Sequence, residues 1–258
     1  MKEQSIIFFD IDGTLLDTEK NLPESTKKAV ARLKADGHIV AIATGRAPFM
    51  YEELREELGI ETYVSFNGQY VVLEGEVIHN QPLDKDDLVT LAEEALDNEH
   101  PVVFLNEDDM KSNVPEHDYI TEGISSLKLG MMPGHNPEYH NDRRIYQTLL
   151  FAPEGEADYT DKYDSFDFIR WHPVSLDVIP KGGSKAHGIE KVIEKLGFPK
   201  ERQYAFGDGP NDLEMLDTVH NSYAMGNATD KVKSHAKYVT KHVDDDGIEY
   251  GLRMAGFI

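Results

Sequence analysis

Residues 6–16, IIFFDIDGTLL, constrain this chain more than any other stretch, because an apolar run long enough for one buried strand stops abruptly at Asp10, Asp12, Gly13 and Thr14. Side chains at i and i+2 of a strand point to the same side, so two carboxylates placed that way repel unless a cation or a shared proton lies between them. The pattern asks for a divalent metal. Asp-Gly is also an ordinary turn signal, and the segment taken alone leaves that plainer reading open. A calcium loop does not fit. Counted from Asp10, the positions that such a loop reserves for its Gly and its final Glu hold Leu15 and Asn21.

Around this segment the chain alternates between strand and helix. Residues 6–11 read as a strand, 24–35 as a helix with Ala29, Val30 and Leu33 on one face, and 39–44 as a strand. A helix over 49–58 and a strand over 63–66 follow, with Gly37 as the plausible C-cap of the first helix. Residues 69–72 and 77–80, joined around Glu74 and Gly75, read as a hairpin. This order predicts a parallel sheet covered on both faces.

From Pro82 the character changes. An acidic amphipathic helix carrying Leu88, Leu91, Ala92, Ala95 and Leu96 precedes VVFLN, a loop-rich stretch over 131–141, and the strands IYQTLLF, FDFIRW and SLDVI. Beyond Gly183 the alternation resumes, with helices over 186–196, 213–216 and 231–236 and strands over 204–206, 222–225 and 238–240. The expected architecture is α/β: a Rossmann-like parallel-sheet core over 1–82 and 182–258, with an inserted α+β cap over 83–181 that hinges at Pro and Gly.

The 258 residues carry a net charge of −22, which opposes binding to nucleic acid or to anionic membranes. No cysteine is present, which excludes thiol catalysis, disulfides and Cys-ligated zinc. The first apolar run is too short for a signal peptide and no stretch approaches a membrane span, so the expectation is a soluble cytoplasmic protein. Neither the P-loop spacing nor G-x-G-x-x-G occurs, which argues against ATP-driven or NAD-dependent chemistry.

Four polar clusters fall at the ends of predicted core strands: Asp10-Ile11-Asp12-Gly13-Thr14, Thr44-Gly45-Arg46, Lys185 after Gly-Gly-Ser, and Gly207-Asp208-Gly-Pro-Asn211-Asp212. Ligands bind at that edge of open α/β sheets. Taken in this order, the clusters resemble motifs I to IV of the haloacid dehalogenase superfamily of phosphohydrolases. FFDIDGTLL, SFNGQ, GDGPND and AMGNA, together with the insert between the second and third motifs, resemble its Cof-type branch with a class IIB cap. Ala186 departs from the glycine common after the motif III lysine, while Lys185 itself is intact.

The resemblance implies an Mg²⁺-dependent phosphatase acting on a small phosphorylated metabolite, such as a sugar phosphate or a phosphorylated cofactor. It casts Asp10 as nucleophile and Asp12 as acid/base, with Thr44, Lys185 and Asp212 completing the catalytic set. The phosphate would meet the amides of Ile11 and Gly45 together with Thr44, Lys185 and Asn211. The metal would be held by the Asp10 carboxylate, the Asp12 backbone carbonyl and the Asp208 carboxylate. A phosphomutase of the same superfamily and a non-catalytic phosphometabolite-binding protein are the competing expectations. Both use the same fold.

Three residues at the end of a cap strand, Arg170, Trp171 and His172, are candidates to face the leaving group, although a lone tryptophan also packs well as core. His135 and His140 lack any H-E-x-x-H pattern and read as surface loop histidines rather than zinc ligands. Asn67-Gly68 either ties cap to core or is a plain turn. Asp244 to Asp246 read as the N-terminal cap of a helix.

Overall fold

The computed structural model describes residues 3–258. By contacts it divides into two compact units, Met1–Arg46 with Glu52–His79 and Ser184–Ile258, and Ala47–Tyr51 with Asn80–Gly183.

The first unit is built on an eight-stranded sheet. In chain order its elements begin with β1 (Ile6–Phe9), α1 (Glu24–Ala35), β2 (Ile39–Ala43), α2 (Glu52–Leu58), β3 (Thr62–Ser65), β4 (Tyr70–Leu73) and β5 (Glu76–Asn80). The second unit then contributes α3 (Lys85–Asp97), β6 (Val102–Leu105), β7 (Met110–Ser112), α4 (Asp118–Ser126), β8 (Gly134–His135), β9 (Gln147–Leu150), β10 (Phe166–His172) and β11 (Ser175–Pro180). The chain returns with α5 (Lys185–Leu196), β12 (Gln203–Gly207), α6 (Leu213–Thr218), β13 (Asn221–Ala224), α7 (Asp230–His235), β14 (Tyr238–Val239) and α8 (Gly247–Met254).

The large sheet runs β14-β13-β12-β1-β2-β3-β4-β5. Every pairing from β14 to β3 is parallel, and β4 joins antiparallel. β4 and β5 turn through Glu74 and Gly75, both at positive φ (50° and 83°), as a tight two-residue hairpin of this twist requires. β1, in mid-sheet, is wholly buried.

Alternation along the strands explains the two covered faces. Ile6 and Phe8 point to one side, where Ala41, Val64 and Val71 meet Ile189 and Val192 of α5 and Met215 of α6. Burying such a side chain contributes about 1.5–3 kcal/mol each. Phe9 points to the other side and starts a ladder of rings through Phe206, Tyr223 and Tyr238, with centroids 5.1, 4.7 and 4.9 Å apart. Gly251 of α8 lies close against Phe206 there.

The second unit carries a six-stranded sheet, β10-β11-β9-β6-β7-β8. One face packs Val102, Phe104, Leu150, Phe166 and Val178 on Leu88, Leu91 and Ala95 of α3. That helix starts where Asp84 accepts hydrogen bonds from the amides of Asp86 and Asp87.

Four expectations change in detail. The predicted helix over 49–58 is a short 3₁₀ turn, Pro48–Tyr51, followed by α2. The loop-rich stretch over 131–141 contains the short strand β8. His140 is no surface loop histidine: its ring packs on Phe104 with centroids 4.7 Å apart, and burial lowers its pKa. Asp246 does occupy the N-cap position of α8, but in a left-handed conformation with no capping hydrogen bond from its side chain. Among the described residues, no helix is long and apolar enough to cross a membrane.

Candidate active site

All four motif clusters lie in the first unit, at the C-terminal edge of its sheet. Asp10 follows β1, and its backbone amide donates to Phe206 O at 3.0 Å, extending the ladder by one bond before the chain turns. Thr44 and Gly45 follow β2, Asp208 follows β12, and Lys185 opens α5 behind the Ser184 N-cap. Parallel strands end at the same side of a sheet, which is why residues nearly two hundred positions apart meet here.

The centre is a buried ion triangle. Lys185, with no exposed surface, donates to Asp10 Oδ1 at 2.5 Å and to Asp212 Oδ1 at 2.6 Å. The other Asp212 oxygen accepts from the amides of Asp208 and Gly209, both at 2.9 Å. Desolvation alone would push the lysine toward neutrality, but the two carboxylates outweigh it and raise its pKa. Burial raises the Asp10 carboxyl well above its ordinary value despite Lys185, and Asp212, Asp208 and Asp12 push the same way.

Asp208 is surrounded differently. Its carboxylate accepts from Thr14 Oγ1 at 3.1 Å and from Asn227 Nδ2 at 2.9 Å, both neutral donors. Burial, then the charge of Asp212, pushes it up to about 6. Oxygens of Asp10, Asp208 and Asp212 lie within 4.8 Å of one another, so three clustered carboxylates face one lysine. The excess negative charge, and a donor set made only of hard oxygens, fit a divalent cation of the Mg²⁺ type.

Gly13 explains part of this packing. Its φ is +76°, and a Cβ added there would fall 2.3 Å from Asp208 Oδ2, so any side chain would displace that carboxylate. Gly68 does a comparable job behind the site: at φ +97° it lies against the Ser184 carbonyl and the Gly188 amide, bringing the β3–β4 connection onto the first turn of α5, where Lys185 begins. The Asn67-Gly68 pair therefore packs within the first unit, on α5.

The Asp12 carboxylate does not lie beside that of Asp10 as a simple strand reading expects. The strand ends at Phe9, the chain turns, and the Asp12 carboxylate is not one of the three clustered above. It is held instead by Arg46 and Lys20. Burial raises its pKa, yet Arg46 and then Lys20 outweigh that and hold the carboxyl below its ordinary value.

Of the remaining expected phosphate ligands, Thr44 is buried and its hydroxyl accepts from the Arg46 amide at 3.1 Å, Ile11 is buried, and Asn211 is exposed. Lys20, Arg46, Thr14 and Asn227 also contact the site's carboxylates, though sequence pattern alone gives them no role. Asn227 lies within AMGNA, where its amide donates to Gly13 O and Asp208 Oδ2, both at 2.9 Å, while its oxygen accepts from Val243 N. Lys20 has no motif around it that could have announced it.

Arg170, Trp171 and His172 belong to the second unit. Arg170 Nη1 donates to the carbonyls of Ala152, His172 and Pro173 at 3.0–3.3 Å, so its guanidinium closes the β10 bulge. His172 Nε2 lies 4.0 Å from Glu122 Oε1. Trp171 lies beside Asp177, whose carboxyl burial pushes up to about 7, with Gln147 and the indole only partly offsetting it.

A model of the haloacid dehalogenase-like hydrolases matches residues 7–252. The chain is 47% identical over 99% of its length, and 99% of the relative's, to YkrA of Bacillus subtilis (strain 168), a protein named as a phosphatase. It is 31% identical, over 96% of both chains, to YitU of the same organism, named a 5-amino-6-(5-phospho-D-ribitylamino)uracil phosphatase. Among solved structures, a hypothetical protein from Geobacillus kaustophilus HTA426 superposes with a TM-score of 0.95 at 52% identity, covering 99% of this chain and all of that one. A subclass IIB sugar phosphatase superposes with a TM-score of 0.84 at 30% identity, covering 98% of this chain and all of that one. The chain belongs to the haloacid dehalogenase-like hydrolases, in their Cof-type branch, and is a phosphatase.

Proposed function

We propose that the protein is a Mg²⁺-dependent phosphatase of small phosphomonoesters that works through an aspartyl-phosphate. The observation that carries this reading is the buried Asp10–Lys185–Asp212 triangle with Asp208 beside it, at the C-terminal edge of a parallel sheet. A carboxylate so deeply buried serves as a nucleophile when its charge is balanced at the moment of attack.

In the first step, an Asp10 oxygen bonds to phosphorus as the bond to the leaving oxygen breaks, and Asp12 gives that oxygen its proton. In the second step, Asp12 takes a proton from water, the water oxygen bonds to phosphorus, and the Asp10–phosphorus bond breaks to release phosphate. Lys185 keeps the Asp10 oxygen aimed and offsets charge on the phosphoryl oxygens. Thr44, with the amides of Ile11 and Gly45 and the Asn211 side chain, supplies neutral donors. Asp10, Asp208 and the Asp12 carbonyl would hold the metal, which would supply the positive charge that lets a phosphate dianion approach four carboxylates. Asp212, which accepts from the Asp208 and Gly209 amides, fixes the loop that carries Asp208.

Residues 83–181 act as a cap that selects the leaving group, with Trp171 and His172 as its candidate contacts. The substrate class is a sugar phosphate or a phosphorylated cofactor precursor, by likeness to relatives named for those activities. The test is phosphate release from a panel containing both classes, with Mg²⁺ or EDTA, for the wild type and Asp10→Asn. The expected result is metal-dependent release that falls by about 10⁴-fold or more in the variant. Isomer formation without phosphate release would move the reading to a mutase.

A further inference from the structure

We infer that Lys20 and Arg46 form a clamp that positions the Asp12 carboxyl, and that Asp17 builds the loop that delivers Lys20 to it; this rests on the reading of Asp12 as proton donor to the leaving oxygen. Asp12 is more than one-third exposed at its side chain, so packing does not hold it. Three charged donors do. Arg46 Nε donates to Oδ2 at 2.8 Å and its Nη2 to Oδ1 at 2.5 Å, while Lys20 Nζ donates to Oδ1 at 2.6 Å. The two-pronged guanidinium sets the plane of the carboxyl, a task that a single point charge does not perform.

The donors are not shared equally. Each carboxylate oxygen offers two lone-pair directions. Oδ1 spends both, on Arg46 Nη2 and Lys20, whereas Oδ2 meets only Arg46 Nε. The clamp therefore leaves Oδ2 as the oxygen with a free lone pair, and Oδ2 is the one that carries the proton to the leaving oxygen and later takes one from water. Lys20 decides this asymmetry, since without it the guanidinium treats both oxygens alike.

Both jaws are held from behind. Lys20 sits at φ +67°, a conformation that costs a non-glycine residue about 1–3 kcal/mol and persists only where neighbours impose it. Here Asp17 imposes it: its Oδ1 accepts from the amides of Glu19 and Asn21 at 2.9 and 2.8 Å, its amide donates to Asn21 O, and its carbonyl accepts from Lys20 N. The Arg46 amide is tied to Thr44 Oγ1, and its carbonyl accepts from Phe66 N. Lys20 and Arg46 are positioning residues, since they act through Asp12.

Leaving groups separate this role from a merely structural one. p-Nitrophenolate departs without a proton and an alkoxide does not, so loss of an aimed acid penalises alkyl phosphates selectively. We would measure kcat/KM on p-nitrophenyl phosphate and on an alkyl phosphate that the enzyme turns over, for Asp12→Asn, Lys20→Met, Lys20→Arg, Asp17→Ala and the double variant Asp17→Ala/Lys20→Met. Lys20→Met should lose about tenfold on the alkyl ester and no more than about twofold on the aryl ester, a fraction of the total worth of a general acid. Lys20→Arg should restore most of the loss. Asp17→Ala should fall the same way by less, and add nothing in the double variant because the two residues act as one unit. If Asp12→Asn loses both esters equally, the acid role itself fails and the clamp with it. If Asp12→Asn discriminates between the esters while Lys20→Met loses both equally or neither, the clamp alone is overturned.

Discussion

The sheet of the first unit and the sheet of the second treat their charged side chains in opposite ways. At the edge of the eight-stranded sheet, Lys185 reaches Asp10, 175 residues earlier, and Asp212, 27 residues later, all three buried. On the six-stranded sheet, Arg170 spends its guanidinium on backbone carbonyls and remains exposed, and Asp177 has no ion pair among the described residues. Charges at the first sheet balance one another across the chain and hold a reactive geometry. At the second, Arg170 supports the local backbone and burial keeps Asp177 neutral.

Substitution of Lys185 sharpens the contrast most. Lys185→Ala leaves Asp10 and Asp212 buried without their counter-charge, and losing one partner of a buried pair costs about 3–5 kcal/mol. We expect a large drop in Tm together with a far greater loss of rate on an aryl phosphate than Trp171→Ala causes. Equal losses in the two variants would erase the distinction between the sheets.

Next in size is a pH effect in the second unit. Burial holds Asp177 neutral up to about 7, against an ordinary value of 3.8. At low pH the group is protonated in both folded and unfolded chains and has no effect. As pH rises toward 7 the unfolded chain ionises while the folded one stays neutral, so stability is lost over that window and stays lost above it. Asp177→Asn should raise stability by about 2 kcal/mol at roughly pH 8, discounted for residual exposure, and by nothing at about pH 2, well below the ordinary value. A Tm difference independent of pH would show that the carboxyl is not held neutral.

The smallest effect belongs to Arg170. Arg170→Ala should cost about 1 kcal/mol through its lost carbonyl contacts, with the order of preferred substrates unchanged, whereas His172→Ala should reorder them. A reordering by Arg170→Ala would return that residue to the set that selects substrate.

The strand-end clusters were readable because each needs its residue types close together in sequence: a buried strand cut short by Asp10 and Asp12, a glycine at Gly13 where no Cβ fits, a lysine at the first turn of a helix. The alternation of strand and helix likewise follows from periodicity. The partners of Asp12 were not readable. Lys20 is an ordinary surface lysine by composition, and its role depends on a left-handed backbone imposed by Asp17. Asn227 was visible as part of AMGNA, but not its hydrogen bonds to Gly13 and Asp208, which lie 214 and 19 residues away.

The chain by itself thus determined the class of fold, the family, and the identity of the buried carboxylates and lysine, because local pattern and motif order carry those. Only the tertiary structure decided which carboxylate meets which cation. Asp10 and Asp12, two residues apart, part company there: one faces Lys185 in a dry interior, the other Arg46 and Lys20 near water. The physical reason is that electrostatic pairing depends on distance and solvent exposure, and neither is set until the strands are side by side.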